Sequence, residues 1–86
     1  MTIWKFQLEI TDLQTISVPQ YTKVLSVAKQ AGKLCVWMLI PDACASYTHK
    51  TFRIFGTGNR ISVAPGTFIG TVQIGVFVWH VFDATN

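Results

Sequence analysis

Val24-Leu25-Ser26-Val27-Ala28-Lys29-Gln30 and Leu34-Cys35-Val36-Trp37-Met38-Leu39-Ile40, joined through Ala31-Gly32-Lys33, decide how the rest of the chain is read. Both flanks are rich in Val, Leu and Ile, and the glycine between them supplies the positive φ that a tight hairpin loop needs. The stretch predicts a β-hairpin. Leu34 to Ile40 is apolar throughout instead of alternating, so either both faces of that strand are covered within the chain or one meets another copy. Pro41-Asp42 ends the run, and the small and polar residues 42–48 read as a loop.

Working outward, Trp4, Phe6, Leu8 and Ile10 alternate with Lys5, Gln7 and Glu9, the two-residue period of a strand with one dry face. Ile16 and Val18 form a second extended piece that Pro19 terminates. From His49 to Phe55, Phe52 and Ile54 fall on one face and Thr51, Arg53 and Phe55 on the other, before Gly56-Thr57-Gly58-Asn59 forces a turn. Ile61-Ser62-Val63 reads as a short extended segment, and Pro65-Gly66 as a turn. Phe68 to Ile74 and Val76 to Asp83 then make a last hairpin closed at Gly75. Tyr21 to Ala31 is the nearest candidate for a short helix, and its β-branched residues weigh against one. The expected architecture is all-β, a small antiparallel sandwich or barrel of six or seven strands in one domain over residues 1–86.

Composition narrows the classes further. Half of the 86 residues are hydrophobic and 13% are charged, about half the usual charged share, which excludes a disordered resting state. No apolar run reaches the roughly 20 residues of a spanning helix, and Met1 to Ile10 lacks a signal-peptide layout, so the chain reads as cytosolic and not membrane-bound. The net charge of +3 comes from seven scattered Lys and Arg against four acids. That is mild attraction for anions, without the dense basic stripe of a duplex-DNA binder. Without an export signal, Cys35 and Cys44 are expected to be free thiols, Cys35 as a small buried hydrophobe. A chain this short buries little more than about 60% of its unfolded surface. Its apolar strands therefore predict a homo-oligomer meeting through the C-terminal strand or residues 34–40.

The stretch Phe52-Arg53-Ile54-Phe55-Gly56-Thr57-Gly58-Asn59-Arg60 carries the candidate binding site. Two glycines let backbone N–H groups approach an anion, Arg53 and Arg60 bracket them with guanidinium forks, and Lys50 stands upstream. Phe55 and Trp79 offer faces to a base. Gly-Thr-Gly is neither a phosphate loop nor a dinucleotide fingerprint, and the same residues also read as a turn with solvated arginines. His49 and His80 with Cys35 and Cys44 do not have zinc-ligand spacing, so no metal is expected. Glu9, Asp12, Asp42 and Asp83 form no acid/base pair, and no enzyme activity or cofactor is expected.

Ile3-Trp4-Lys5-Phe6 with Leu8 to Asp12 and Gln14-Thr15-Ile16, Gly32-Lys33-Leu34-Cys35-Val36-Trp37, Phe52 to Ile61, Pro65-Gly66 with Ile69-Gly70-Thr71, and Val78-Trp79-His80-Val81-Phe82 together resemble a family of short β-rich phage and prophage proteins. The likeness spans almost the whole chain. It implies a phage-encoded accessory protein acting in the host bacterial cytoplasm, and it brings no catalytic site. By analogy, small phage β-proteins of this build include sponges that withhold a nucleotide signal of host defence from its effector. The expected function is therefore anti-defence sequestration of a small anionic nucleotide-like ligand. The alternative is a protein-interaction module whose apolar strands meet a host or virion protein.

Overall fold

The computed structural model describes residues 1–43 and 46–85. Cys44, considered above as a thiol and a metal ligand, lies outside them. Seven strands follow one another: β1 (Thr2–Gln7), β2 (Leu13–Pro19), β3 (Lys23–Gln30), β4 (Lys33–Ile40), β5 (Tyr47–Gly56), β6 (Thr67–Ile74) and β7 (Phe77–Asp83). They form two antiparallel sheets, ordered β1-β4-β3 and β2-β5-β7-β6. The sandwich-like two-sheet arrangement stands, whereas neither sheet closes into a barrel. The segment weighed as a short helix is strand β3.

The deciding hairpin is tighter than expected. Lys33 pairs with Gln30 as the first residue of β4, leaving Ala31-Gly32 as the loop. Both carry positive φ, +51° and +76°, as a type I′ turn requires. The β6–β7 loop is likewise two residues, Gly75-Val76, with Gly75 alone at φ +61° and β7 starting at Phe77.

Strand β4 explains its own unbroken apolar run. Leu34, Val36, Met38 and Ile40 point into the core and are buried. Cys35, Trp37 and Leu39 occupy the opposite face of a central strand, flanked on both sides by β1 and β3. Cys35 is a free, buried thiol, 3% exposed. The Lys5 ammonium donates to the Gln30 side chain two strands away, and that arm runs from the Trp37 row to the Lys33 row, past Cys35. From the second sheet Val18, Phe52, Ile54, Val72 and Val81 complete the core. The sheets close tightly where Gly70 meets Val27, beside a bulge in β6: a Cβ on Gly70 would stand 2.9 Å from Val27 Cγ2.

Two expectations need correction. On β1 the ladder ends at Gln7; Leu8 is buried, but Trp4 is 42% exposed and Ile10 46%. As a sheet edge, β1 gives only the Leu8 end of its dry face full cover. Ile61-Ser62-Val63 joins no strand ladder. Strands β5 and β6 both run antiparallel to β7, which lies between them, so they are parallel to each other. Residues 57–66 must therefore cross from one end of the sheet to the other. Both edges of β5 are already taken by β2 and β7, and the crossing segment has no ladder to join.

The result is a slab of 41 × 30 × 16 Å with 5504 Å² of accessible surface. A compact monomer of this mass exposes roughly 5,100 Å², so the flat shape leaves an excess.

Candidate functional site

The turn after β5 separates two clefts. On one side Arg53, Phe55, Asn59, Arg60 and Asp12 line a cleft of about 230 Å³, walled by Ser62 and Val63 of the crossing segment. On the other, Gly56, Thr57, Asn59, Phe77 and Trp79 line a cleft of about 450 Å³. Asn59 belongs to both. The two arginines thus line one recess, with Phe55 beside them. Trp79 faces the second recess.

Local structure fixes the turn between them. Asn59 N–H donates to Gly56 C=O (3.1 Å) and Thr57 N–H to Val78 C=O (3.1 Å), tying the turn to itself and to β7. His80 of β7 bonds Thr57 Oγ1 through Nε2 (2.7 Å) and Thr71 Oγ1 of β6 through Nδ1 (2.9 Å). Its ring therefore braces the turn from below. A Cβ on Gly56 would lie 3.0 Å from Asn59 Nδ2 and 3.2 Å from Trp79 Cζ3. That glycine is where the amide and the indole close on the backbone. Gly58, at φ +89° with open space around it, serves the turn's conformation.

Lys50 departs from the expected site. It lies three residues before Arg53 and so on the opposite face of β5, opposite Ile16 of β2, and lines neither cleft. His49, opposite Ser17, sits at the far end of the strand. Among the described residues no group of His, Cys, Asp or Glu is placed to hold a metal ion.

Of the lining residues that sequence reasoning missed, two change the chemistry of the clefts. Phe77 stands 5.7 Å from Trp79, centroid to centroid, with the rings 30° from parallel, which makes the larger cleft an aromatic one. Asp12 brings an acid into the arginine recess, lowering its formal charge from +2 to +1. The proximity of Phe77 to Trp79 was readable from the two-residue spacing on β7. Asp12, 41 residues before Arg53, arrives through the β2–β5 pairing, where Leu13 lies opposite Arg53.

A small recess lined by two arginines and a larger one lined by a tilted aromatic pair thus flank one turn of a two-sheet β-protein. Residues 1–86 match the family described as a domain of unknown function (DUF7352), and the chain belongs to that family. No curated protein and no solved structure matches it. No helix among the described residues is long and apolar enough to cross a membrane.

Proposed function

We propose that the protein is a binding protein without chemistry that sequesters a nucleotide-derived signal, holding the ligand astride the Gly56–Asn59 turn. The phosphate end sits between Arg53 and Arg60, and the base lies against Trp79 and Phe77. Asn59, common to both clefts, supplies amide donors and an acceptor between them. The observation that carries this reading is the sharing of Asn59 by an arginine recess and an aromatic recess. Volumes support the division of labour. About 230 Å³ is below the size of a whole small-molecule site and suits a phosphate-sized group, whereas about 450 Å³ lies within the usual range. A phage-encoded sponge acting in the bacterial cytoplasm is the biological form of this proposal, with a second copy over the turn deepening both clefts.

The test is retention of cyclic dinucleotides and ADP-ribose derivatives after incubation, followed by release on heating and chromatography. Arg53→Ala with Arg60→Ala should abolish retention. Asp12→Asn should tighten it, because it removes the carboxylate that lines the arginine cleft. A panel in which no nucleotide is retained, or retention indifferent to all three changes, overturns the proposal. Sedimentation with and without the retained nucleotide reads the contribution of a second copy.

A further inference from the structure

The outer face of the three-stranded sheet has no counterpart in the site just described. Strand alternation places Ile3 and Lys5 of β1, Lys33, Trp37 and Leu39 of β4, and Lys23 of β3 on that face. The register shift between Val24 and Ser26 adds a side chain: Leu25, 41% exposed, joins Ser26 on the same side. Ile3, Leu25 and Trp37 then wall a socket of about 420 Å³ floored by the small residues Ser26 and Ala28. Three exposed lysines share the face, Lys23 in the Leu39 row and Lys33 at the other end, where the Lys5 ammonium reaches Gln30. None of the four acids lies on the strands of this sheet: Glu9 and Asp12 lie between β1 and β2, Asp83 ends β7 of the other sheet, and Asp42, just past β4, is paired with the Met1 ammonium.

We propose that this face docks an acidic protein segment, which places one apolar side chain in the Ile3–Leu25–Trp37 socket and carboxylates against the lysines. Charge complementarity selects the occupant. A second copy meeting this face with its own would set three lysines against three with no acid between them, and like charges across an interface are costly. A recess with small residues at its base suits an inserted side chain, the anchor-in-pocket form of an interface centre. Lys5 donates to Gln30, and an ammonium has three donors, so it keeps capacity for a carboxylate.

Panning a displayed library of short random peptides on the full chain tests the proposal at roughly 0.15 M salt. The expected winners carry acids flanking a Leu, Phe or Trp. Synthesised winners should quench or shift the Trp37 fluorescence, read as the signal that Trp37→Phe removes. Charge reversal by Lys5→Glu with Lys23→Glu, both exposed edge-strand positions, should weaken them about tenfold while far-UV circular dichroism stays unchanged. Ala28→Leu, which fills the socket from an exposed position, should weaken them comparably. Winners without acids, or acidic winners that bind both variants like the parent, overturn the inference. So does binding to vesicles containing phosphatidylglycerol in the absence of peptide binding, and so does a dimer that the charge reversal abolishes. Nucleotide retention is read in parallel on the same variants and should be unaffected, since the arginine and aromatic clefts lie on the other sheet.

Discussion

Gly66 anchors the crossing segment that carries Arg60 over β5, and Gly66→Ala is the sharpest test of that path. Its φ is +104°, and an added Cβ would stand 2.2 Å from Asp83 O and 2.9 Å from both Asp83 C and Ala84 Cα. All three are backbone atoms, so no flexible side chain can yield. The conformation alone costs an L-residue about 1–3 kcal/mol. Relieving the clash must also push the chain end away from β5, where Ala84 N–H donates to Thr51 C=O (2.8 Å) and Thr51 N–H to Thr85 Oγ1 (2.9 Å). Each lost bond adds about 1 kcal/mol, for a total of about 3–5 kcal/mol. A chain of this length has roughly 4–13 kcal/mol in all. Gly58→Ala is the control: its φ is +89° but nothing lies within reach of a Cβ, so only the conformational cost of about 1–2 kcal/mol applies. In urea, with a slope of about 1 kcal/mol per M, the midpoints should fall by about 3–5 M and about 1–2 M respectively. Equal shifts for the two variants would refute the claim that Gly66 is pinned against the end of β7.

Three further outcomes follow from single contacts. Ala31→Asn should raise stability by about 0.5–1 kcal/mol in the same urea assay, because Ala31 holds φ +51° at a type I′ position that Asn tolerates better. Thr22→Val should lose about 1 kcal/mol: the buried Thr22 Oγ1 donates to Pro19 C=O at 2.6 Å, while the backbone bond from Thr22 N–H to the same oxygen remains. Phe52→Ala should lose about 3–5 kcal/mol, since Phe52 is fully buried in the core cluster, and thermal unfolding will show whether any folded state survives.

Local signals made the hairpins legible. Gly32 and Gly75 sit where two-residue loops need positive φ, and the flanking residues are strand formers, so neither prediction depended on distant parts of the chain. The alternation of Phe52 and Ile54 against Arg53 and Phe55 was readable for the same reason, and both apolar residues are buried. Applied consistently, that alternation also removes Lys50 from the arginine face, three residues away on one strand. Ile61-Ser62-Val63 was misread because its composition is strand-like while its fate depends on strand order. With β7 between β5 and β6, the segment must span the sheet, and no ladder edge of β5 remains for it.

The same non-local logic accounts for what the candidate site gained and lost. Phosphate recognition was read from glycines and arginines contiguous in sequence, but the turn acts as a partition instead of a cradle, because Gly56 is closed by Asn59 and Trp79. Only the pairing of β2 with β5 brings Asp12 near the arginines, and only the pairing of β7 with β5 sets Trp79 beside Gly56. Asp12 and Trp79 pull the proposed ligand's two ends in different directions: the carboxylate limits how much negative charge the recess accepts, and the indole demands a planar group on the far side of the turn. Under the proposal, a bare phosphate would fill the first cleft alone and a free base the second alone. On the proposed arrangement, the two should bind weakly when separate and the intact nucleotide far more tightly, as covalent linkage of two fragments allows. Equal affinity of the phosphate alone and the whole nucleotide would place binding in the arginine recess by itself and remove Trp79 and Phe77 from the site.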